Sequence, residues 1–158
     1  QGAAVGGGLA LALACDLRVA APDAKFGSVF VKVGLSSCDM GVSYFLPRIV
    51  GATRAAELLL TGRLVGAEEA DRIGLVNSIS EPGGHLAAAV ALARQVTQHS
   101  EFSTWLTKSG MWTNLDAPSL RAAIELENRT QALGTFTGNL AEYEAAFTEK
   151  RAPRWNVL

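Results

Sequence analysis

The chain has 158 residues, with 14 Lys and Arg against 15 Asp and Glu and a formal net charge of -1. That length suits one domain with a core of its own, and the even charge balance argues against nucleic acid as a partner. No apolar stretch is long enough to cross a bilayer, so no membrane span is expected. Cys15 and Cys38 are the only cysteines; no Cys/His spacing suggests a metal site, and the pair reads as reduced thiols of a cytoplasmic protein.

In chain order, residues 3–5 read as the end of a buried strand. Residues 7–15 read as a buried helix, because the run is apolar all round. The alternation at 16–20 predicts a strand, Pro22-Asp23 a turn, and 25–27 and 30–33 short extended pieces. A loop over 34–39 follows, where Asp39 is placed to cap a helix over 40–49 that Gly51 ends. Helices are predicted over 53–60, closed by Gly62, and over 67–72, stopped by Gly74, with a strand over 75–79. Four more helices follow, over 86–98, 102–112, 120–133 and 140–151, the third capped by Ser119 and the last stopped by Pro153. The expectation is an α/β front over 1–80 and a helical region over 81–158. The chain opens without Met, a few residues before a functional turn, which suggests that an N-terminal portion precedes it.

That turn is Gly6-Gly7-Gly8, running straight into Leu9-Ala10-Leu11-Ala12-Leu13. A helix start carries N–H groups with no intrahelical partner, and its dipole favours negative charge. The P-loop pattern needs Lys and then Ser or Thr after its last glycine, and the dinucleotide fingerprint needs a third glycine where Leu11 stands. Both fail. A turn that holds a carbonyl oxygen is one reading; close packing against a neighbouring element is the other.

The order of Gly6-Gly7-Gly8, apolar helix, Ala14-Cys15-Asp16-Leu17-Arg18 and Ala24-Lys25-Phe26-Gly27 resembles the enoyl-CoA hydratase/isomerase (crotonase) family. So do Val33-Gly34-Leu35, Leu46-Pro47-Arg48-Ile49-Val50-Gly51, Ala55-Ala56-Glu57-Leu58-Leu59-Leu60-Thr61-Gly62, the run from Ala67-Glu68-Glu69-Ala70 to Gly74-Leu75-Val76, and Ala146-Phe147-Thr148-Glu149-Lys150-Arg151. The resemblance covers essentially the whole chain. It implies a ββα spiral core with a helical C-terminal region, assembled as a homotrimer or hexamer, and a coenzyme A thioester as the substrate, with no other cofactor. It also implies a missing N-terminal half of about a hundred residues that carries further strands and part of the coenzyme A surface.

The resemblance places one oxyanion-hole N–H on Gly7, beside Gly6. Negative charge on a thioester oxygen can be held by such donors, each typically worth about 3–4 kcal/mol of barrier. Hydratases of the family use two glutamates, at positions that are Ala10 and Phe30 here, and neither Ala nor Phe can move a proton. Asp39 is the candidate replacement. Some isomerases of the family carry an Asp after a Gly-Leu pair in this loop, although Gly34-Leu35-Ser36-Ser37-Cys38-Asp39 has one residue more. A carboxylate set there against Phe30, Val33 and Met40 would be partly desolvated, which suits a general base. The alternative for Asp39 is a helix cap alone. Phe30 and Cys38 are candidates to line the acyl pocket, with a buried, inert thiol the other reading of Cys38. Lys150 is a candidate to meet a coenzyme A phosphate as a point charge, or else simply a solvated helix end.

Three functions compete. The first is double-bond isomerisation in fatty-acyl-CoA metabolism using Asp39. The second is an enoyl-CoA hydratase (a lyase) with atypical catalytic residues, and the third is a catalytically silent CoA-binding subunit. Trp105, Trp112 and Phe136 are the large groups available to a subunit interface.

Overall fold

The computed structural model describes residues 1–157. They cluster into two units, Gln1–Ala91 and a second from Leu92 onward, with the division inside a helix.

The first unit begins with β1 (Ala3–Val5) and α1 (Gly7–Ala14). Next come β2 (Val19–Ala20), β3 (Lys25–Gly27) and a single 3-10 turn over Phe30–Val33. The helices α2 (Val42–Val50) and α3 (Ala52–Thr61) lead to β4 (Val65–Gly66), α4 (Ala67–Arg72) and β5 (Ser78–Ile79). One sheet has the order β1-β3-β4, and β2 pairs with β5. β1 runs parallel to β3 with Ala4 opposite Phe26. β4 runs antiparallel to β3, and β2 parallel to β5.

The core gathers one face of each helix. Leu9, Ala10 and Leu13 of α1 meet Val42 and Leu46 of α2, Ala55 and Leu58 of α3, and Phe26, Val65 and Leu75. Leu13, Val42 and Val65 are completely buried; burying a side chain of that kind stabilises by about 1.5–3 kcal/mol. Around β4, Arg63 grips both oxygens of Glu69 at 2.6 and 2.9 Å and one oxygen of Glu57 at 2.7 Å. The fork ties the end of α3 to the start of α4. These bonds hold the Glu57 and Glu69 carboxyls below their ordinary range.

Several expectations are corrected. α1 is not buried all round, since Leu11 is 72% exposed. Residues 30–33 coil into the 3-10 turn instead of extending, because left-handed Gly34 turns its N–H back to Val31 O and Leu35 N–H reaches Phe30 O. The strand expected over 75–79 shrinks to two residues, because Leu75 and Val76 both donate to Ala70 O. α2 starts at Val42 with Gly41 as its cap, so Asp39 does not cap it.

The helix that contains the division is α5 (His85–Thr97). The second unit goes on with α6 (Glu101–Asn114), α7 (Leu120–Thr135) and α8 (Asn139–Glu149). Ser100 and Ser119 cap α6 and α7 by accepting from Ser103 N and Ala122 N. After α8 the chain doubles back along it. Arg151 forks onto Glu142, Arg154 N donates to Glu142 Oε1, and Asn156 N donates to Asn139 Oδ1.

Candidate functional site

β1 delivers the chain to the glycine turn. Gly6 N donates to Gly27 O at 2.9 Å, which extends the β1–β3 ladder by one bond. Gly6 then takes φ 53 and ψ -119, a conformation open to glycine and costly for any residue with a Cβ. This kink starts α1 at Gly7. Ala10 N is the first donor to bond inside the helix, to Gly6 O. No side chain caps the helix, and no acid stands in its first turn. Among the described residues, Gly7 N–H therefore has no acceptor and sits at the positive end of the helix dipole.

The surroundings of that N–H are apolar. A methyl group placed on Gly6 would lie 3.6 Å from Phe30 Cζ, and one placed on Gly7 would lie 3.4 Å from Met40 Sδ. A ring and a thioether thus flank the turn on two sides. Phe30 is half-buried. Gly6 needs glycine for its backbone angle, whereas a Cβ at Gly7 would make only ordinary contact with the Met40 thioether.

Asp39 lies one residue before Met40. Its Oδ1 accepts from Met40 N at 2.9 Å, and its carbonyl accepts from Val42 N. Met40 itself adopts φ 48, unusual for a residue with a side chain, and that turn carries its thioether to Gly7. The Asp39 side chain is exposed, as are Cys38, Val33 and Met40, so the expected desolvated carboxylate is not found in this chain. Cys38 is held by its own N–H, which donates to Ser36 Oγ at 3.0 Å. Ala10 is buried in the core and offers no proton carrier.

Gly6, Gly7 and Phe30 are thus brought together, and the loop with Cys38 and Asp39 joins them through Met40. Met40 was legible only as a neighbour of Asp39, since nothing local signals its approach to Gly7. Lys150 belongs to the second unit. It ends α8 as a left-handed cap with φ 54 and ψ 40, and it is exposed. Its neighbour Arg151 is committed to Glu142 and Glu149, which raise its pKa. The second unit also contains a cavity of about 830 Å³ lined by Phe102, Leu106, Met111, Tyr143 and Trp155 among others. None of the sequence-predicted site residues lines it. No cluster of ligating side chains that could hold a metal ion occurs among the described residues, and no helix among them is long and apolar enough to cross a membrane.

A short parallel ladder thus feeds a glycine kink and an uncapped helix start. The family model for enoyl-CoA hydratase/isomerase matches residues 1–157, and the chain belongs to that family, with the crotonase fold. It is 44% identical over 154 residues to a Mycobacterium tuberculosis protein named "Probable enoyl-CoA hydratase EchA12", covering 97% of this chain and 54% of that one. It is 38% identical to the (E)-benzylidenesuccinyl-CoA hydratase of Thauera aromatica, covering 97% and 59%. A crystal structure of a probable enoyl-CoA hydratase/isomerase from Mycobacterium abscessus superposes with a TM-score of 0.91 at 42% identity, over 98% of this chain and 60% of that one. The chain therefore spans between half and two thirds of the length of these relatives.

Proposed function

We propose that the full-length protein acts on acyl-CoA thioesters and stabilises an enolate at Gly7, with double-bond isomerisation as its principal reaction. The observation that carries this reading is the Gly7 N–H, unpartnered at a helix start. In the reaction, a base removes the proton at C2 of a 3-enoyl thioester. The electron pair spreads onto the thioester oxygen, where Gly7 N–H meets it. The pair then forms the C2–C3 double bond while the C3–C4 π pair takes a proton at C4. Asp39 is the base in this reading, since Ala10 and Phe30 cannot serve. Lys150 is the candidate partner for a coenzyme A phosphate. In this reading the second oxyanion donor and part of the coenzyme A surface come from the portion of the relatives' length that this chain does not span.

Hydration is the second reading, favoured by the names of the relatives. Assays of the full-length protein with 3-enoyl- and 2-enoyl-CoA separate the two. Isomerisation is expected to dominate and to fall about 10²–10⁴-fold in Asp39→Asn. Fast hydration that is indifferent to Asp39→Asn would overturn the assignment in favour of a hydratase. Thioester binding with neither activity would favour a silent CoA-binding subunit.

A further inference from the structure

At the opposite end of α1 from Gly7, one side chain reaches carbonyls of the last helical turn and of the C-cap Cys15. Arg18 Nη1 donates to Cys15 O and, at 3.5 Å, to Ala12 O. Its Nε donates to Leu75 O at 2.7 Å, in the segment that follows α4. The Arg18 backbone is held as well. Its N–H donates to Asn77 Oδ1 at 2.7 Å, and Asn77 N donates back to Arg18 O at 2.8 Å. A guanidinium here supplies donors to carbonyls at the C-terminal end of the helix and offsets its negative end. Burial pulls its pKa below the ordinary value, yet it stays charged at any working pH.

The other end of α1 is tied by Gly6 N to Gly27 O. Between these anchors the helix has eight residues, a rod about 12 Å long. A displacement at Cys15 therefore becomes a tilt at Gly7. We infer that Arg18 is a positioning residue, whose fork onto Cys15 and Leu75 fixes the axis of α1 and so the direction of the Gly7 N–H. This inference rests on the oxyanion reading of Gly7.

Two variants of the full-length protein test it. Arg18→Ala removes the fork. Arg18→Lys keeps the charge, but an ammonium cannot reproduce the planar fork that spans Cys15 O and Leu75 O. In crystals of each variant, Gly7 N is expected to move by more than about 0.5 Å relative to β1 and β3. Turnover of a CoA thioester is expected to fall at least about tenfold in kcat, with KM within about twofold. The infrared carbonyl stretch of a bound thioester should shift back toward its value in solution. If Arg18→Ala does not fold, Arg18→Lys decides alone. Gly7 in place with wild-type kcat and carbonyl frequency, even with a lowered Tm, overturns the inference and leaves Arg18 a purely structural residue. A displaced Gly7 in the variants, together with a wild type that neither binds nor turns over thioesters, sustains Arg18 as the anchor of α1 and overturns the oxyanion reading instead.

Discussion

Single residues decide what the glycine turn can do. Gly6 sits where only glycine is comfortable, although its Cβ position is not crowded: the nearest atom, Phe30 Cζ, is 3.6 Å away. The cost of Gly6→Ala is therefore strain and not clash. We expect a loss of about 1–3 kcal/mol, read from urea unfolding, and a smaller change would show that the turn relaxes. Behind α1, the Ser28 hydroxyl is fully buried and without a hydrogen-bond partner among the described residues. Ser28→Ala should raise stability by about 1 kcal/mol, seen as a higher Tm, because it removes an unsatisfied hydroxyl at little cost in packing. Gly6 and Gly7 were legible in the sequence because a helix-start signal is local. The contact of Met40 with the turn was not, because it depends on a left-handed Met40 that no local pattern demands.

At the scale of elements, helix ends were read well where glycine or a capping serine punctuates them, as at Gly51, Gly62 and Ser119. Two-residue strands such as Val65–Gly66 left too short a pattern to read. The return of the chain along α8 was also invisible, since it rests on pairs nine or more residues apart. Its centre is Glu142, whose carboxyl is held down to about 2 by the Arg151 fork and then by Arg154 N–H. A carboxyl with a depressed folded pKa contributes stability that is present above the ordinary value of about 4.3 and lost as the pH falls through the folded one. The tail should therefore loosen between about pH 4.5 and 2, with Arg154 N–H losing hydrogen-exchange protection over that window. In Glu142→Gln the protection should be weak throughout and lose this pH dependence. A wild-type Arg154 amide equally protected at pH 5 and pH 2 would contradict the mechanism.

At the scale of the whole molecule, the two units differ in how they use apolar side chains. In the first, α1, α2 and α3 each bury part of a face. In the second, α6 and α7 contain no buried residue. Trp105 is 62% exposed, Leu120 77%, Phe136 86% and Phe147 74%. Side chains of this size would each add about 1.5–3 kcal/mol if covered, and aromatic groups of this kind are enriched at the centres of subunit contacts. The helical region was readable from periodicity, but its purpose was not, because an amphipathic stripe does not say which surface it meets. We expect the full-length protein to be a trimer or hexamer by light scattering at micromolar concentration. Phe136→Ser should shift it toward smaller species without unfolding the first unit, since no residue of that unit's core belongs to the second. A wild-type mass of one subunit at those concentrations would refute the assembly. A Phe136→Ser protein that assembles as the wild type does would place the contact elsewhere on the helices.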